Sequence, residues 1–172
     1  MKPIVLLTAL LLALAGHLSF AKAGPKPDEV KKLAQELAKA VVKQDYAGVI
    51  DLTHPAIVKE MGSRMKAIEL IELMMKGAGF SYKEMKVGDP GEFHSQGANT
   101  FVVIPIKLEV NSPRGLLRGD SYLLGISPDD GKTWTFVEGY SMEKAEKLLP
   151  KLPEKLKLPD LKKPDRPKPE NK

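Results

Sequence analysis

The stretch Thr100-Phe101-Val102-Val103-Ile104-Pro105-Ile106-Lys107-Leu108-Glu109-Val110 decides the fold class. Its Val102, Ile104, Ile106, Leu108 and Val110 recur at every second residue, which puts all five on one face of a β-strand. Pro105 has no N–H to give to a ladder, so an edge position or a bulge is expected there. Residues 111–115 turn the chain, 116–127 return as a second strand and 132–138 make the last one. On the N-terminal side, 80–87 read as a first strand, followed by the turn-rich Gly88-Asp89-Pro90-Gly91 and a short paired piece at 92–95. Consecutive strands joined by short turns pair antiparallel.

Before residue 80 the period is helical. Pro27 and Asp28 open a helix in which Val30, Leu33, Ala34, Leu37 and Val41 share one face, running to about Gln44. Asp45 starts a second, short helix through Leu52, and Thr53-His54-Pro55 breaks it, because a residue before proline is pushed away from helical angles. Residues 56–61 make a further turn that Gly62 ends. Ser63 is a good N-cap for a third long helix over 64–76, closed by Gly77 and Gly79. There Lys66, Glu69, Glu72 and Lys76 form the polar stripe and apolar residues cover the rest, so the helix is expected to lie between a sheet and the earlier helices. Helices first and an antiparallel sheet afterwards define an α+β fold.

That order of elements resembles the NTF2-like superfamily, with its cystatin-like α+β cone of N-terminal helices packed on a curved antiparallel sheet. The residues that carry the resemblance are 33–42, the segment Gln44-Asp45-Tyr46-Ala47-Gly48-Val49-Ile50-Asp51-Leu52, and the C-terminal strand pair closing on Trp134 and Phe136. The resemblance implies a sheet curled around an apolar pocket, with Tyr46, Met74, Tyr122 and Trp134 expected to line it. Members include isomerases and dehydratases, which place an Asp, His or Tyr on the pocket wall, and many noncatalytic binding or accessory modules. Fold alone does not choose between them.

The residues available for acid–base work are Tyr46, Asp51, His54, His94, Asp120 and Tyr122. Asp120 and Tyr122 share a strand face at i, i+2 and form the best polar pair for a cofactor-free lyase or isomerase. His54, directly before Pro55, reads as a loop or capping residue rather than a base, and His94 stands in a polar, Gly-rich stretch. Methionines beside Ile and Leu read as core filler rather than soft copper ligands, so neither a metal nor a cofactor is expected.

One turn motif stands out. Ser127-Pro128-Asp129-Asp130-Gly131-Lys132-Thr133-Trp134 matches the Asp-box, in which the Ser and Asp side chains bond turn amides, the Gly takes a positive φ and the Trp packs back. A propeller needs such a unit in blade after blade, and one copy excludes that architecture. The motif reads as a hairpin stabiliser, with a carbohydrate-contacting loop as the alternative.

The two ends differ from the middle. Lys2, the apolar run 4–14 interrupted by Thr8, and Ala21-Lys22-Ala23 before Gly24 have the layout of a secretory signal peptide over 1–23, and the run is short for a membrane-spanning helix. Export without cysteine fits a periplasmic or secreted bacterial protein, and the absence of thiols excludes disulfide scaffolds, zinc fingers and iron–sulfur clusters. Residues 150–172 hold six of the fourteen prolines and eight basic against four acidic side chains. They read as a strap over 150–161, carrying Leu152, Leu156, Leu158 and Leu161, and a solvated tail over 162–172 that contacts an anionic surface only weakly. The domain between, 24–149, has seventeen basic and eighteen acidic residues, which argues against nucleic acid as a partner. The expected function is an exported, noncatalytic binding or accessory domain of the cell envelope, with a small apolar ligand or an envelope protein as partner and a homodimer through the sheet as its assembly. The lyase or isomerase is the alternative, and a structural accessory protein with a basic tail is the third.

Overall fold

A computed structural model describes residues 24–162. The expected leader over 1–23 and most of the expected tail, from residue 163 on, lie outside the described residues.

Helix α1 (Pro27–Lys43) has proline in its first turn and Asp28 and Glu29 at the positive end of its dipole. Val30, Ala34 and Leu37 are buried along one stripe. The helix stops at Gln44, which takes the left-handed conformation at φ 57°, and the next residue begins another helix. Asp45 caps α2 (Tyr46–Leu52) by accepting the Gly48 N–H at 3.0 Å. At the proline break, the His54 imidazole caps α3 (Pro55–Glu60), its Nδ1 accepting the Ala56 N–H at 3.3 Å. Ser63 caps α4 (Arg64–Ala78) in the same way, through the Lys66 N–H at 3.2 Å, and Gly79 closes it at φ 65°.

Strands β1 (Ser81–Val87), β2 (His94–Gln96), β3 (Asn99–Ser112), β4 (Gly115–Ser127) and β5 (Thr135–Glu138) form one antiparallel sheet. The order is β1-β3-β4-β5, with β2 on β3 beyond the end of β1. Helices followed by a five-stranded antiparallel sheet make the chain α+β. Pro105 lies in the central strand, against the expectation of a sheet edge, facing Tyr122 of β4 in the register. Its missing donor falls where β1 has ended opposite Ile106 and β2 has not begun, and the Gly88 N–H reaches the Pro105 carbonyl at 2.8 Å. The bulge is in β1, between Tyr82 and Glu84. The outer side of β5 is met by the α2–α3 connection, through a parallel bridge from Thr53 to Phe136 and the His54 N–H on the Phe136 carbonyl at 3.0 Å.

Each face of the sheet has its own core. On the helix side Val102, Ile104, Ile106, Leu108, Leu123, Trp134 and Phe136 pack with α1. On the other side Phe101, Tyr122, Leu124, Ile126 and Val137 pack with Met142 and Ala145 of α5 (Met142–Ala145) and with the leucines of residues 150–161. The Tyr140 hydroxyl donates to the Lys162 carbonyl at 2.9 Å and fixes the end of that segment.

Helix α4 departs from its expected position between the sheet and the other helices. Only Ala67 is buried, while Leu73 is 70% exposed, Met65 64% and Met74 54%. α1 already packs on the β1 side of the sheet, so α4 leans on α2 and α3 instead and leaves much of its apolar circumference open.

Candidate functional site

Where α2, α3 and α4 fail to close on the sheet, a cavity of about 290 Å³ remains. Its roof is made by Leu37 and Val41 of α1, Val49 of α2, Ile57 of α3, and Ile71 and Met75 of α4. Its floor is the helix-side face of the sheet at Tyr82, Met85, Leu108, Leu123, Phe136 and Glu138. The size is at the lower end of the range for small-molecule pockets, about 300 to 1,000 Å³.

Glu138 is the chemically distinctive residue on this floor. It is the last residue of β5 and shares a face with Phe136 at i, i+2, and it pairs across with Leu123. One carboxylate oxygen, Oε1, accepts from the Ser121 hydroxyl, and Oε2 accepts the Tyr140 N–H at 3.0 Å. Burial pushes its pKa above the ordinary glutamate value, and its hydrogen bonds from Ser121, Tyr140 and Ser141 oppose the shift. The Tyr82 phenol is pushed up for the related reason, burial first and then the nearby Glu138 charge.

No protein-family model matches the chain. No curated protein matches it in sequence.

Of the residues singled out in the sequence, Tyr46 and Met74 line the cavity. Tyr122 does not: it is buried on the opposite face of the sheet, in the cluster with Phe101 and Leu124. Asp120, two residues earlier on β4, is exposed and faces away from the cavity with it. The two do share a face, as their spacing requires, but the parity of the strand gives the cavity side to Ser121 and Leu123. Trp134 is buried on the helix side but lines no part of the cavity. Its indole N–H donates to the Gly131 carbonyl at 3.0 Å and its ring meets Phe93 with centroids 5.8 Å apart.

His54 is a half-buried cap with its pKa lowered by desolvation, and its Nδ1 is occupied as an acceptor. Asp51 is held by Arg64 in a two-bond pair at 2.6 and 2.8 Å on the surface, which lowers its pKa. His94 lies 4.0 Å from Glu92, away from the cavity. Among the described residues no three metal-ligating side chains converge, and no helix is long and apolar enough to cross a membrane.

The turn between β4 and β5 is closed by its own side chains. Ser127 Oγ accepts the Gly131 N–H and donates to Asp129 Oδ1, both at 2.8 Å. Asp129 in turn accepts from the Thr133 N–H and hydroxyl, each at 2.8 Å, which holds its carboxyl below the usual aspartate range. Gly131 has φ 88°, and Pro25 sits directly against it. This turn positions β5, and through β5 it positions Glu138.

Glu138 is the functional candidate that the sequence reading missed. The available signal was alternation: Trp134 and Phe136 are apolar at even positions, so the next even position continues the same face.

Proposed function

We propose that this chain is an exported, noncatalytic binding or accessory domain of the bacterial cell envelope, NTF2-like in type, that takes a small apolar ligand between its helices and its sheet. The observation that carries the reading is the cavity of about 290 Å³, whose lining is mostly aliphatic, methionine and aromatic side chains. The order of helices before an antiparallel sheet supports the NTF2-like assignment, and the leader-like residues 1–23 support export. The polar pair a lyase or isomerase was expected to use, Asp120 and Tyr122, lies on the other face of the sheet, so binding is the better reading.

The test is titration with Nile red, a neutral apolar dye. Saturable fluorescence enhancement that is lost in Ile71→Trp, a substitution that fills the cavity from α4, is the expected result. Dye binding that is absent, or present and unchanged in that variant, overturns the reading.

A further inference from the structure

The cavity lining is chemically lopsided. Among the described residues, Glu138 is the only acidic or basic side chain on its wall, and no ion pair to Glu138 occurs there. Glu138 is half-buried, and a carboxylate partly withdrawn from water without a cation beside it is disfavoured, a cost that a protein often offsets with an Arg or Lys. Here the partners are neutral donors, Ser121 Oγ and the backbone N–H groups of Tyr140 and Ser141. A carboxylate offers about four lone-pair directions, so these bonds leave about one of them unused. The rings of Tyr46, Tyr82 and Phe136 also line the wall, and Tyr82 is near enough for the Glu138 charge to act on its phenol. Aromatic faces and a carboxylate oxygen both attract a cation.

We infer that the ligand of this cavity is a hydrophobic amine, its protonated nitrogen held by the Glu138 carboxylate and the Tyr82 ring and its hydrocarbon body packed among Val49, Ile71 and Met75. The inference rests on the pocket reading above and adds the ligand's charge. A carboxylic acid of the same shape meets like charge, and a neutral alcohol leaves the carboxylate uncompensated. An aliphatic amine stays protonated at mildly alkaline pH, as lysine does. The pairing is therefore available where Glu138 is ionised.

The experiment is displacement of Nile red from the full-length protein at mildly alkaline pH by n-octylamine, n-octanol and octanoate, which differ only in their head group. Octylamine is expected to compete at a concentration at least about tenfold below octanol, with octanoate weakest. Glu138→Gln is expected to bring amine and alcohol within about twofold of each other without weakening the alcohol. A merely structural Glu138 would affect all three competitors together. If amine and alcohol displace the dye equally from the wild-type protein, the amine inference is overturned while the pocket stands. If no competitor acts and Ile71→Trp leaves dye binding unchanged, the pocket reading falls and the inference falls with it. The wild-type ranking decides the matter even where Glu138→Gln does not fold.

Discussion

Gly139 is wedged between the sheet and the strap, and adding one methyl group there tests how that face is sealed. A Cβ built on Gly139 would lie 2.8 Å from Tyr122 Cε1, 2.9 Å from Tyr122 Cδ1 and 2.9 Å from Leu161 Cδ1. Its backbone is outside the left-handed region, so alanine is conformationally allowed and the clash is the whole effect. Tyr122 is 3% exposed and held on all sides, whereas Leu161 is half-buried at the end of the strap. The strap should therefore give way first. Overpacking of this kind costs about 1 to 3 kcal/mol, and about 2 kcal/mol is expected for Gly139→Ala. In a domain of this size that lowers Tm by about 6 to 8 °C. Leu161→Ala alone should cost about 1 kcal/mol, well under the 2 to 5 typical of a fully buried leucine. Because Leu161 Cδ1 is one of the obstructing atoms, the double variant should cost about 1 kcal/mol less than the two singles added together. Urea unfolding of the four proteins measures this cycle directly. A neutral Gly139→Ala, or strict additivity with Leu161→Ala, would show that the strap does not bear on Gly139 and would refute the packing described for this face.

Three further outcomes can be checked. Gln44→Gly should raise stability by about 1 kcal/mol in urea melts, because the residue now pays a left-handed φ that glycine adopts freely. Gly131→Ala should lower stability by about 2 kcal/mol, since its φ of 88° disfavours a side chain and the new Cβ would stand 2.6 Å from Pro25 Cβ. Glu138 predicts a pH effect whose sign follows from its raised folded-state pKa. Its favourable contribution is complete below the unfolded-state value and is lost as pH rises through the folded-state value, so wild type should lose stability relative to Glu138→Gln over that rise. A difference between the two melting curves that is flat with pH would show that Glu138 is solvated.

The sheet was legible because period-two alternation and turn chemistry agree along residues 80–138, and the helix breaks were legible because Pro55 and Gly62 act locally. What could not be read was which face of the sheet each element covers. Val102 to Val110 announces a face but not its neighbour, and the spacing of Asp120 and Tyr122 puts them on one face without saying that this face belongs to the strap. A single step of parity moves every side chain of β4 across the sheet, and no local signal sets that step. Helix α4 failed for a different reason. An apolar circumference states how much cover a helix can use, not how much the fold has left to give.

The same two faces explain why the hollow lies where it does. On the strap side an extended segment follows the sheet, and proline favours such extended backbone, so leucines spaced along it can meet the face continuously. On the helix side the cover is made of rods. α1 packs along β1, but beyond Gln44 the chain is broken at Asp45, at Thr53-His54-Pro55 and at Gly62 into two short helices, α2 and α3, and the longer α4. Straight rigid helices laid on a twisted sheet touch it at points, and the gap between them is lined on one side by α4. That gap opens above the last residues of β5, whose outer edge is already tied to the α2–α3 connection. Glu138, the last residue of β5, stands on the floor of that gap with its carboxyl group held by Ser121 and Tyr140.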